Sequence, residues 1–202
     1  MKVYRTYEDL PKIKLPHGNE IFISDSTIRD GAQMPGIVLK SGHKVKIYDH
    51  LHNIGIEKLE TFLYNERDRK AVELMLDRGY EFPEVTGWAR AMPSDIDLVL
   101  DIEEIKETGI LMSVSDVHMF DKMGLESREA AEEKYLDALQ YAVDHGLRTR
   151  AHIEDMTRAD NYGFVYPLIK KILEIDPECT IRLCDTIGYG IPFAGVDEPY
   201  GI

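Results

Sequence analysis

Ile23-Ser24-Asp25-Ser26-Thr27-Ile28-Arg29-Asp30-Gly31-Ala32-Gln33 is the stretch on which the rest of the chain turns. The apolar run Ile21-Phe22-Ile23 leads straight into an Arg-Asp pair, a glycine and an amide. Arginine and aspartate side by side at a strand end make a poor core and a good site. The aspartate suits a divalent cation, and the arginine suits oxyanion charge next to it. An ordinary surface turn closed by an ion pair has the same three letters. The choice rests on what stands at the ends of the other strands.

Working outward, short apolar runs alternate with helical patterns. Strands are expected at 20–25, 57–63, 83–88, 109–115, 148–154 and 180–186, with helices at 41–54, 66–78, 94–107, 127–145 and 161–175. In the fourth helix Ser127 is a natural cap, and Ala131, Tyr135, Ala138, Leu139 and Ala142 make one apolar face. Gly55-Ile56, Gly79-Tyr80, Gly109-Ile110 and Gly146-Leu147 each read as a helix end followed by a strand start, because glycine takes the left-handed conformation cheaply. Repeated βα units imply a parallel sheet.

That sheet is either open and doubly wound or most of a (β/α)8 TIM barrel. A complete barrel needs about 250 residues, and this chain has 202. No Gly-rich phosphate fingerprint follows the first strand, and the ionisable residues recur at the C-terminal ends of different strands. Both facts favour an incomplete barrel of about six βα units. The expected division is an N-terminal extension over 1–19 and the partial barrel over 20–202, with a Gly- and Pro-rich tail that reads as a chain cut after the sixth strand.

Composition narrows the partners. The net charge of −13 argues against nucleic acid and anionic membrane, which need clustered cations. An anionic substrate would need a local arginine or a metal. Cys179 and Cys184 do not make a disulfide framework. No apolar run approaches the ~20 residues of a spanning helix, and the polar N-terminus lacks a signal-peptide core. A cytoplasmic location is the expectation.

The other strand ends carry further chemistry. Glu60 lies inside an apolar strand, where an unpartnered carboxylate is costly. Ser113-Val114-Ser115-Asp116-Val117-His118 follows the fourth strand. In the fifth, Arg150, His152 and Glu154 share one face by period-two alternation. That face is a site or the solvent side of an edge strand. The sixth ends in Cys184-Asp185-Thr186-Ile187-Gly188.

In this order, Asp-x-Thr-x-Arg-Asp-Gly-x-Gln, Ser115-Asp116-x-His118, Glu154-Asp155 and Cys184-Asp185-Thr186-x-Gly188 resemble the metal-dependent acyltransferase and lyase superfamily. That superfamily includes isopropylmalate, homocitrate and re-face-specific citrate synthases and hydroxymethylglutaryl-CoA lyase. Longer blocks, among them Gly79-Tyr80-Glu81-Phe82-Pro83-Glu84-Val85-Thr86-Gly87-Trp88, are most similar to the re-face citrate synthases.

The resemblance implies a metal-dependent condensation of acetyl-CoA with a 2-oxo acid, oxaloacetate first. Isopropylmalate or citramalate synthesis and acyl-CoA lysis are the alternatives within the superfamily. The implied roles are Asp30 as metal ligand, Arg29 at the carbonyl and alkoxide, and Gln33 and Glu60 lining the metal site. Arg150 and Thr186 would hold the substrate carboxylate, and Glu154 would position a proton-transfer group or the hydrolytic water. Arg90 or Arg182 would take a distal carboxylate. His152 stands where homocitrate synthases tend to have a small hydroxyl residue, which argues against a homocitrate-type substrate. The implied metal is Mn²⁺ or Mg²⁺, with Zn²⁺ possible in principle, and the complete protein would be a homo-oligomer. The superfamily's His-x-His metal pair has no counterpart after Asp185. An inactive fragment is therefore the reading from a different class.

Overall fold

The structure is a computed structural model that describes residues 22–188 and 190. The expected N-terminal extension, the start of the first strand and the tail lie outside the described residues. Six strands follow one another in space as in sequence, every neighbouring pair parallel. They are β1 (Ser24–Asp25), β2 (Lys58–Thr61), β3 (Glu84–Arg90), β4 (Glu107–Ser113), β5 (Arg148–Glu154) and β6 (Thr180–Cys184). The helices are α1 (Ser41–Ile54), α2 (Glu66–Leu76), α3 (Pro93–Leu100), α4 (Arg128–Asp144) and α5 (Tyr166–Ile175). The sheet curls into a partial barrel, and among the described residues β1 and β6 each have a single strand neighbour.

Local chemistry sets most boundaries. The side chains of Asn65 and Ser127 accept from the N–H groups of Asp68 and Ala130 and so cap α2 and α4. Gly55, Gly79 and Gly146 adopt φ of 82°, 66° and 79°, and each closes a helix as expected. Gly109 does not. It lies within β4, and α3 stops at Leu100. Ile102 and Ile105 are then buried in a turn between the two elements. The expected helix over 161–175 is divided as well. A π-helical turn spans Asn161–Val165 before α5. Pro167 has no N–H to bond the carbonyl four residues back, so the first turn cannot be regular.

Period-two alternation divides the strands between two environments. Leu59, Val85, Ala89, Ile110, Met112, Ala151 and Ile153 are buried, in one core cluster with Val72, Met75, Ile96, Val99, Tyr135, Leu139, Leu168 and Ile172 of the helices. Each large aliphatic among them contributes roughly 1.5–3 kcal/mol of burial. The opposite parity carries Glu60, Thr86, Arg150 and His152, all buried and polar. β5 is flanked by β4 and β6 and is not an edge strand, so its ionisable face is the barrel interior.

Candidate active site

A cavity of about 520 Å³ opens at the C-terminal ends of the strands. It is lined by Arg29, Asp30, Gln33, Trp88, Leu111, Lys122, His152, Glu154, Cys184, Asp185 and Thr186. Six expected site residues meet there: Arg29, Asp30, Gln33, His152, Glu154 and Thr186. Two do not line it, Glu60 and Arg150.

The loop after β1 delivers Arg29. The buried Lys44 of α1 donates to the Ile28 carbonyl at 3.0 Å and pairs with Asp68 at 2.9 Å. This anchors the backbone one residue before the arginine. The guanidinium donates through Nε and Nη2 to Glu60 Oε2 at 3.0 and 2.8 Å, and through Nη1 to Asp30 Oδ1 at 3.2 Å. It also lies over the rings of Trp88 and Phe62, at 5.3 and 5.8 Å from their centroids. A planar fork held on one edge by a carboxylate and on its face by aromatic rings has little freedom left.

Glu60 is the anchor beneath the cavity. It is 0% exposed. Its Oε1 accepts from Arg182 Nη1 and stands 3.2 Å from Arg150 Nη2 and 3.3 Å from His152 Nε2. Burial raises its carboxyl pKa, but His152, Arg150 and Arg182 outweigh that and hold it at about 2. His152 is driven the other way. Burial lowers its pKa more than Glu60 raises it, with Arg182 and Arg150 adding to the lowering. The imidazole is therefore neutral at pH 7.

Both shifts depress a folded-state pKa, so in acid the unfolded chain binds more protons and the fold loses stability as pH falls. The loss from Glu60 is expected between its ordinary value of 4.5 and about 2. It should amount to roughly 3 kcal/mol. A shallower loss from His152 begins below 6.5. Denaturant unfolding from pH 7 to 3 checks this. A flat profile across that window would contradict the burial and pairing of Glu60.

Across the cavity, Glu154 accepts from the Ser113 hydroxyl, and its Oε2 lies 3.2 Å from His118 Nδ1. Lys122 Nζ stands 3.7 Å from Glu154 Oε1. The neighbouring Asp155 is 0% exposed and adopts φ of 63°, an uncommon conformation for a non-glycine residue. There it accepts from Ser115 and Arg158, and His118 Nε2 lies 3.8 Å away. Its backbone N–H donates to Thr186 Oγ1 at 2.8 Å, tying the end of β6 to that of β5. Burial raises the Cys184 thiol to about 11. It stays protonated at pH 7 and is a poor nucleophile.

Three arginines expected to hold substrate carboxylates do not line the cavity. Arg150 is 2% exposed and faces Glu60, Glu107 and Thr86 below the cavity. Arg90 is forked onto Asp95 at 2.7 and 2.9 Å. Arg182 is held by Glu60. Lys122, which the sequence reading overlooked, lines the cavity instead, on the π-helical turn Val117–Lys122 after β4. Its only sequence signal is its place four residues after His118. Among the described residues no group of three or more His, Cys, Asp and Glu side chains is placed to hold a metal ion. Nor is any helix long and apolar enough to cross a membrane.

The HMGL-like family model matches residues 20–198. The chain belongs to the HMGL-like family. It is 44% identical to the citrate (Re)-synthase of Clostridium kluyveri, over 97% of this chain and 46% of that protein. It is 39% identical to the citrate (Re)-synthase of Syntrophus aciditrophicus, over 97% and 33%. With the 2-phosphinomethylmalate synthase of Streptomyces hygroscopicus it shares 38%, over 98% and 47%. The chain thus spans about half the length, or less, of these relatives. Among solved structures, hydroxymethylglutaryl-CoA lyase from Pseudomonas aeruginosa superposes with a TM-score of 0.68 at 18% identity, covering 85% of this chain and 59% of that one. That likeness supports the incomplete-barrel fold for this HMGL-like chain.

Proposed function

We propose that this HMGL-like chain carries the 2-oxo-acid half of a site that condenses acetyl-CoA with a 2-oxo acid, oxaloacetate being the acceptor it suits best. The observation that supports this most is Arg29. Its guanidinium is fixed by Glu60 and the rings of Trp88 and Phe62 and stands beside Asp30 at the cavity wall. A pre-oriented cation there stabilises the alkoxide that forms when a carbonyl is attacked, without having to reorganise. Glu154, bonded to Ser113 and His118, is the proton-handling group. The Thr186 hydroxyl takes part in positioning the acid, as does Gln33.

An acceptor with two carboxylates needs two cations in a strongly acidic protein. Among the described residues, Arg29 and Lys122 are the two that line the cavity. Lys122 is therefore assigned to the distal carboxylate.

A divalent metal would raise the electrophilicity of the carbonyl. Asp30 is the one expected ligand, and the described residues do not complete a set around it. Calorimetric titration of this chain with Mn²⁺ is expected to give a dissociation constant of about 1 mM or weaker, as for a single carboxylate with water completing the shell. Tight binding that survives Asp30→Ala would contradict the assignment. The same observation favours a second reading, in which this chain alone binds the acid without turning it over.

CoA release from acetyl-CoA tests the proposal and separates the two readings. It would be followed with oxaloacetate, pyruvate, 2-oxoisovalerate and 2-oxoglutarate, on this chain and on a chain extended to the relatives' length. Release with oxaloacetate preferred is the expected result for the extended chain. Preference for pyruvate or 2-oxoisovalerate would contradict the choice of acceptor. No release with any acceptor from a folded, Mn²⁺-loaded extended chain would contradict the condensation itself.

A further inference from the structure

Gly109 of β4 is level with Arg150 in the β4–β5 register, and the ring of His152, one inward position higher on β5, lies against it. A Cβ placed on Gly109 would lie 2.5 Å from His152 Nε2 and 3.1 Å from Cδ2. The first is a contact that real Cβ atoms essentially never show, and the second is tighter than most. The ring occupies the hollow that glycine leaves, a close approach of the kind that marks glycine inside a strand.

What the ring does there follows from the two cavities. The upper one, about 520 Å³, is lined by His152 and not by Arg150 or Arg182. A lower one of about 230 Å³, at the N-terminal ends of the strands, is lined by Lys58, Arg150 and Arg182 and not by His152. His152 is level with Arg182 in the β5–β6 register, and Arg150 lies one inward position lower on β5. Glu60, wholly buried, contacts Arg29 above through one oxygen and Arg150, Arg182 and His152 through the other. The imidazole and this carboxylate thus lie between the two spaces.

We propose that Gly109 is a positioning residue that seats His152 as the floor of the upper cavity, so that Arg150 is a buried counter-ion of Glu60 and Glu107 and not a substrate ligand in this chain. The inference rests on the 2-oxo-acid reading and sharpens it. The acceptor must be compact, because a longer chain running down from Arg29 meets the imidazole before it can reach the guanidinium below. Arg150 Nε and Nη1 have no aligned hydrogen-bond partner, although Nη1 is 3.2 Å from Glu107. A carboxylate let through the floor would find open donors.

The test is a mutant cycle on the full chain: Gly109→Ala, His152→Ser and the double variant. Thermal melting and calorimetric binding of oxaloacetate and of 2-oxoadipate, a longer 2-oxo diacid, are read for each. Gly109→Ala alone should lower the melting midpoint and weaken oxaloacetate about tenfold, because the ring is pushed off its seat. The double variant should melt no lower than His152→Ser alone, since the clash is gone. His152→Ser should gain roughly ten- to a hundredfold in affinity for 2-oxoadipate, the worth of an arginine–carboxylate contact, and lose that gain when Arg150→Met is added. Additive melting shifts would overturn the Gly109–His152 coupling. A folded His152→Ser variant that ranks the two acids as the parent does would overturn the floor. Should the parent bind neither acid, the 2-oxo-acid reading fails, and the melting cycle still decides whether Gly109 seats the ring.

Discussion

Glu60→Gln lowers the unfolding free energy at pH 7 by about 3–5 kcal/mol, the scale expected when one partner of a buried ion pair is removed. The substitution keeps the shape and removes the charge. Arg29, Arg150 and Arg182 all contact this carboxylate, so its removal leaves three guanidinium groups short of their shared counter-ion. Arg150 is the most exposed to the change, because it is 2% accessible and its other acidic contact is Glu107. Urea unfolding of the parent and variant measures it. The acid limb between pH 4.5 and about 2 should also flatten in the variant. A loss under about 1 kcal/mol would mean that water reaches Glu60 and that the polar layer is not sealed.

Arg29→Lys is expected to lower the turnover of the extended chain by about 10²–10³-fold, with a smaller change in the KM for the 2-oxo acid. Lysine keeps the charge and loses the fork. In the parent, two nitrogens of that fork are spent on Glu60 Oε2 and the third faces Asp30. An ammonium cannot hold Glu60 on one side and present a donor to the alkoxide on the other in the same fixed geometry. Steady-state kinetics with saturating acetyl-CoA separates the two parameters. A change confined to KM would show that Arg29 binds the ground state and does not stabilise the developing charge.

Much of this arrangement is legible in the sequence, for reasons that differ residue by residue. Ser127 and the left-handed Gly55, Gly79 and Gly146 mark their helix ends because capping and positive φ are local requirements. Arg150, His152 and Glu154 fall on one face because strand parity is also local. Depth along the barrel axis is not local. It follows from the register between strands, which places Arg150 one inward position below His152 and leaves it beneath the floor. Gly109 looks like the other three glycines in sequence. It differs because its neighbour in space is an imidazole forty-three residues away. Lys122 was missed since it sits on an irregular turn with no periodicity to betray its direction. Asp155 reaches its partners through a positive φ that no residue-type preference signals.

On the proposed reading the 2-oxo acid lies in the upper cavity against Arg29 and above His152. A crystal structure of the chain soaked with oxaloacetate tests it most directly. The expected result is the 2-oxo carboxyl end within hydrogen-bond distance of Arg29 or Thr186 and the distal carboxylate at Lys122, with the lower cavity empty of ligand. The acid bound between Arg150 and Arg182 in the lower cavity, with no ligand at Arg29, would contradict it.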